Sequence, residues 1–192
     1  MARPGDRRPL IADHAIAMLA DGGARALTHQ AVDRDAGLAI GSTSYYFRTR
    51  DALVAAAVAR IREHSRMAFE AAPLPEPLSV QTASAFIAEH LHSLATERRE
   101  QALAVIALLP EVAKDSEHRD SLGRCLFSHE LARELTIALG CDPSREIADD
   151  LVDLLTGRLI SILFGLRPES GSKPRHRQQS SAAFRLASNS AI

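Results

Sequence analysis

Between Thr28 and Leu53 the chain reads THQAVDRDAGLAIGSTSYYFRTRDAL. Ser42, Thr43, Tyr45, Tyr46 and Arg48 crowd onto one short segment behind Gly41. Serine and threonine hydroxyls bond base edges or phosphates, and tyrosine bonds phosphate or packs on a thymine methyl. Gly41 removes a side chain where a backbone could approach a duplex closely. Phe47 supplies an apolar anchor. The same residues also fit a purely structural helical hairpin, with Tyr45 and Tyr46 packed on a partner helix.

Other chemistry is poorly represented. A di-iron bundle needs paired Glu-x-x-His motifs with further carboxylates, and the chain offers only Asp115-x-x-His118. There is no glycine-rich phosphate loop, no G-x-S-x-G elbow and no H-E-x-x-H. His90 and His92 fall on different faces of a helix and share a metal poorly. Cys125 sits on an apolar stripe and reads as core, while Cys141, beside a turn, leaves room for redox sensing. The expectation is no enzyme, no metal and no cofactor.

The elements that must position these residues are helical. Alanine and leucine supply 57 of 192 residues, and valine, isoleucine and threonine only 25. That balance favours helices over strands, so an all-α fold is expected. A first helix runs from about Pro9 to Ala20, with Gly22-Gly23 as its stop. Thr28 caps a second that ends at Gly37. A tight turn from Leu38 to Gly41 leads to a third, from Ser42 to about Arg48. This is the helix-turn-helix plan. A fourth helix runs from Arg50 to about Ala72, where Pro73, Pro75 and Pro77 break it. Ser79 caps a fifth, to about Thr96. A sixth runs from Arg98 to Lys114 and is kinked or ended at Pro110, with Leu103, Ile106, Ala107 and Leu109 on its stripe. Glu117–Leu139 reads as one long helix. The last runs from Pro143 to Phe164.

The formal charge of −1 argues weakly against nucleic acid, but it is unevenly spread. Residues 1–52 carry +1, residues 53–166 carry −6 and residues 167–192 carry +4. These segments are the expected domains: a helix-turn-helix domain, an acidic helical domain, to which the family resemblance described below assigns ligand binding and dimerisation, and a basic, disordered tail. Phosphate binding needs cations. Arg3, Arg7, Arg8, His29, Arg48 and Arg50 lie in the arm and at helix ends, while Asp13, Asp21, Asp33 and Asp35 can face elsewhere. No apolar run reaches membrane-spanning length and no signal peptide opens the chain, so the expected location is cytoplasmic.

Over residues 9–53 the sequence resembles the TetR (tetracycline-repressor-like) family of bacterial transcription regulators. The resemblance rests on LADGGARALT, on T-x-x-A-V-x-x-x-A-G and on GSTSYYFRTRDAL. It implies a three-helix helix-turn-helix domain followed by a C-terminal helical bundle. It also implies phosphate and occasional base contacts from Thr28, His29 and Gln30, and base reading through Ile40, Gly41, Ser42, Thr43 and Tyr45. Tyr46 and Arg50 would hold backbone phosphates, with Arg48 beside them. Two positions depart from the pattern. Ser44 replaces a usual tyrosine. Ala39 replaces the usual serine or threonine at the turn, so the cap of the third helix must come from Gly41 or Ser42. These departures leave room for another reading: a helical small-molecule-binding or interaction protein that no longer reads DNA.

The last helix carries apolar residues on more than one face, which requires burial on more than one side. Ile147, Leu151, Leu154, Leu155, Leu159 and Ile162 are the expected dimer interface, and the resemblance implies a four-helix bundle between two copies. A homodimer would bind a pseudo-palindromic double-stranded operator, as a repressor released by a small-molecule effector. Phe86, His90, Leu94, Leu103, Ile106, Leu109 and His129 are the candidate walls of the effector pocket, and a small, fairly apolar molecule suits them better than a large anion.

Overall fold

The computed structural model describes residues 6–113 and 116–166. Among them there are nine helices and no strand, as the composition predicts. None of these helices is long and apolar enough to cross a membrane. Packing divides the chain into two compact units. The first holds residues up to Ala68 together with Glu100–Cys125, and the second holds Phe69–Arg99 with residues from Leu126 onward. These units differ from the segments drawn at residues 52 and 166, because a helical segment distant in sequence joins the N-terminal helices. Residues 167–192, Arg3 and Asp115 lie outside the described residues, as does the side chain of His118.

The first unit is built on α1 (Arg8–Ala26), α2 (His29–Asp35), α3 (Ser42–Tyr46), most of α4 (Arg50–Ala71), α6 (Arg99–Val112) and most of α7 (Ser116–Leu126). Ile11, Ala15 and Leu19 of α1 and Val32 of α2 are buried, as are Leu53, Ala57 and Ile61 of α4. Their i, i+4, i+8 spacing is one helical face. The glycine stop of α1 lies where predicted but acts as a break. Gly23 takes a positive φ of 70°, and helical bonding continues to Ala26. Pro110 sits inside α6, which continues two residues beyond it. The inward stripe of α6 is Ala102, Val105, Leu108 and Val112. Leu103 and Ile106 are only half-buried and Leu109 is exposed, so the expected stripe was out of phase by about one residue.

The second unit holds the end of α4 with α5 (Val80–Ala95), α8 (His129–Ala138) and α9 (Arg145–Leu163). Ser79 caps α5 through a reciprocal bond pair with Thr82. The long helix expected over Glu117–Leu139 is two helices, α7 and α8, broken at Phe127-Ser128. Ser128 starts α8 by accepting from the Leu131 amide at 3.2 Å. Side chains also take the last-turn carbonyls of α7, which have no helical partner. Ser65 Oγ donates to the Cys125 carbonyl at 2.8 Å, and His90 Nε2 donates to that of Leu126 at 2.8 Å.

Candidate nucleic-acid interface and ligand cavity

The α2-turn-α3 hairpin is organised around a carboxylate. Asp33 lies on α2 and is 2% exposed. One oxygen accepts from the Gly41 amide at 2.7 Å. The other accepts from the Thr43 amide at 2.7 Å and the Thr43 hydroxyl at 2.6 Å. Asp33 therefore caps α3, correcting the expectation that the cap comes from Gly41 or Ser42. Gly41 does occupy the N-cap position, at φ 89°, a left-handed conformation that favours glycine. Burial raises the Asp33 pKa, but the bonds from Thr43 and Gly41 and the His29 charge outweigh it, leaving the carboxyl below its ordinary value. The sequence held one signal for this role. With Ala39 unable to cap, an acceptor was needed nearby, and Asp33 follows the inward Val32.

Thr43 is fully buried. It was expected to be exposed and to read bases, but its hydroxyl is spent on Asp33. What faces outward is Ile40, 90% exposed, Tyr45, 80% exposed, and Gly41, Ser44 and Arg48. Ser44, first read only as a missing tyrosine, is an exposed hydroxyl next to Tyr45. Ser42 is half-buried, as is Tyr46, whose ring meets Tyr45 edge-on at 5.2 Å and carries Arg8 over its face at 5.4 Å.

Thr28 caps α2 as expected, accepting from Ala31 at 3.1 Å, and keeps its own hydroxyl proton for another acceptor. Gln30 is exposed beside it. His29 turns inward instead, with Nε2 donating to the Phe47 carbonyl at 2.7 Å. Arg50 is also tied within the chain. It donates to the Ala24 carbonyl at 2.7 Å, capping the last turn of α1, and to Glu111 at 2.7 Å.

Acidic residues of this unit are largely matched internally. Arg60 grips Asp13 through Nε at 2.7 Å and Nη2 at 2.9 Å, and also bonds Glu63 at 2.7 Å. Bonding to Asp13 raises the already high Arg60 pKa further. His14 bonds Asp35 at 2.7 Å. Thus Asp13, Asp33 and Asp35 hold α1, α2, α3 and α4 together, while Arg48 stays at the surface.

The second unit contains a cavity with about 530 Å³ of empty space, part of it open to solvent, between the end of α4, α5, α8 and α9. Of the seven expected wall residues, Phe86 and His90 line it. Leu94 is buried away from the lining. Leu103, Ile106 and Leu109 belong to the other unit. His129 bonds Asp149 at 2.7 Å. Phe69, Phe127, Leu131 and Leu135 line the cavity instead, partly because the α7–α8 break, absent from the expected helix, brings Phe127 to it.

On α9, Ile147, Leu151, Leu155 and Leu159 are buried within their own chain. The expected interface is therefore mostly core. Leu154, 40% exposed, and the half-buried Ile162 remain, joined by exposed Ile137, Phe164 and Leu166.

Against known proteins, no family model matches the sequence. No curated protein matches it either. Solved structures do match. A TetR-family member, SCO1917 from Streptomyces coelicolor A3, superposes with a TM-score of 0.69 at 23% identity, over 95% of this chain and 98% of that one. The chain has the TetR-family fold. This TetR-like architecture extends to the multidrug binding protein EbrR complexed with malachite green, with a TM-score of 0.68, 24% identity and 95% and 98% coverage. It extends also to Mycobacterium smegmatis AmtR, with a TM-score of 0.56, 20% identity and 97% and 88% coverage.

Proposed function

We propose that the protein is a DNA-binding transcription regulator of the TetR type. It acts as a homodimeric repressor that leaves its operator when a small molecule fills the cavity. The observation that carries this reading is the α2-turn-α3 hairpin. Its interior is closed by a buried carboxylate, and its outer face presents Ile40, Ser44, Tyr45 and Arg48. A free-standing structural hairpin gains nothing from leaving Ile40 and Tyr45 in water, whereas a major groove offers thymine methyls to both and phosphate to the Tyr45 hydroxyl. Thr28, Gln30 and Arg48 would hold phosphates at the flanks, with the Gly41 and Ser42 backbone at close approach. Tyr46 would steady Tyr45.

The exposed apolar residues Leu154, Phe164 and Leu166 support pairing of two copies. Pairing would set two α3 helices about 34 Å apart, one turn of duplex. EbrR, of similar fold, is a multidrug binding protein, which supports an effector in this chain's own cavity. The effector would act through α4, which begins at Arg50 and whose last turns carry Phe69 of the cavity wall. The functional division proposed is a reading head within residues 1–52 and an acidic ligand and dimer body beyond it. The reading as a ligand binder that has lost DNA recognition has less support than the sequence suggested, since Asp33 replaces the cap that Ala39 cannot give.

Labelled DNA from the gene's own promoter region, titrated against the protein at several salt concentrations, tests the proposal. A pseudo-palindromic site preferred over random DNA is expected. Equal affinity for both at every salt concentration would overturn it.

A further inference from the structure

The cavity's chemistry narrows its ligand. Its walls are phenyl rings from Phe69, Phe86 and Phe127 and aliphatic side chains such as Leu131 and Leu155, and none of the described residues lining it is acidic or basic apart from His90. His90 stacks on Phe69, with centroids 5.5 Å apart and planes 26° from parallel, and meets Phe127 edge-on at 5.4 Å. These contacts make flat walls set at fixed angles, which suit another ring.

The imidazole also has a defined proton arrangement. Donation from Nε2 to the Leu126 carbonyl places the proton there and leaves Nδ1 as an acceptor in the neutral ring. Burial holds His90 below its ordinary pKa, more strongly than the Leu126 bond raises it, and the Arg98 guanidinium lowers it further. Burial and Arg98 both favour the neutral ring, the form in which Nδ1 accepts. Ser128, the other polar wall residue, already has its oxygen engaged in capping α8.

We propose that this cavity binds an uncharged, flat aromatic molecule bearing one hydrogen-bond donor, its ring against the phenyl walls and its donor on His90 Nδ1. The assignment deepens the effector reading above. A phenolic or heteroaromatic N–H compound has this chemistry. A flat cation would gain only the phenyl faces and no carboxylate, and an anion would lose its hydration without gaining a lining donor.

The test is equilibrium binding of four probes to the full chain: 2-naphthol, naphthalene, 2-naphthoate and ethidium. The protein contains no tryptophan, so probe fluorescence is read against a low background. One neutral hydrogen bond contributes about 0.5–1.5 kcal/mol, so 2-naphthol should bind about 2- to 12-fold more tightly than naphthalene. His90→Phe should erase that preference, read as the ratio of 2-naphthol to naphthalene affinity in the variant. Leu131→Trp, which fills the cavity, should weaken both at least 10-fold, read by equilibrium dialysis because this variant adds a tryptophan. The proposal is overturned if ethidium or 2-naphthoate binds more tightly than 2-naphthol. It is overturned equally if the preference survives His90→Phe, or if 2-naphthol binding is unsaturable or indifferent to Leu131→Trp. Operator release is measured separately. The expected binding pattern without release would sink the regulator reading alone, and release by another molecule with the wrong pattern would sink this assignment alone.

Discussion

Asp33→Ala should loosen α3 from α2 and cost both stability and DNA binding. The Asp33 carboxylate accepts three bonds of 2.6–2.7 Å, two from Thr43 and one from Gly41. Gly41 is exposed, so its freed amide can turn to water. The amide and hydroxyl of Thr43 are fully buried and cannot. An unsatisfied buried donor costs about 1–3 kcal/mol, so two of them, partly relaxed, predict a loss of about 2–4 kcal/mol. Asp33→Asn keeps one oxygen for Thr43 but turns an NH2 group toward the Gly41 amide, for a loss of about 1–2 kcal/mol. Urea unfolding followed by circular dichroism reads both losses as midpoint shifts at unchanged slope. The pH dependence gives a second readout. The folded carboxyl titrates below its unfolded value, so its stabilisation is full above about pH 4 and fades as pH falls through the folded pKa. The gap between wild type and Asp33→Asn should therefore close in acid. A loss under about 0.5 kcal/mol for Asp33→Ala, against the few kcal/mol expected, or a gap constant with pH, would refute the capping argument. So would unchanged operator affinity in a destabilised Asp33→Ala protein.

The remaining predictions concern the surface. Tyr45→Ala removes an 80% exposed ring and should weaken operator binding by about 1–2 kcal/mol, roughly 5- to 30-fold, in a gel-shift titration with little change in stability. Glu111→Gln should free Arg50 from its 2.7 Å ion pair; exposed pairs contribute about 0.2–1 kcal/mol, so operator affinity should rise up to about 5-fold. Arg50→Ala should lower affinity and reduce the salt slope by about 0.9 if Arg50 meets one phosphate when bound, and an unaltered slope would remove it from the contact set. Leu154→Glu places a charge on the exposed face of α9 and should yield monomer by light scattering, whereas Leu155→Ala, a core change, should lower stability first.

Much of this fold is local in origin, and the local part was legible. Thr28 and Ser79 cap helices where the sequence places them, because a cap is settled within three residues. Gly23, Gly37 and Gly41 take positive φ at the expected breaks. The break at Phe127-Ser128 was only half legible. Ser128 supplies the same three-residue cap, but the end of α7 depends on Ser65 and His90, residues 60 and 36 positions away, taking its carbonyls. The phase of α6 was misread for a related reason. Leu, Ile and Ala occupy nearly every face there, and periodicity cannot choose among them.

The sequence by itself determined that this is an all-α protein with a helix-turn-helix at residues 28–53, because composition, caps and glycine breaks act over a few residues. It also marked α9 as apolar on more than one face. Only tertiary structure decided which hydroxyls and charges are available. Thr43, His29 and Arg50 look like surface donors in one dimension, yet each has a partner within the chain. The same holds for α9, whose inward leucines are core, and for the cavity, walled by residues from Phe69 to Leu155. A donor already bonded within the fold must break that bond before it can serve a ligand, and which donors are bonded depends on contacts between helices distant in sequence.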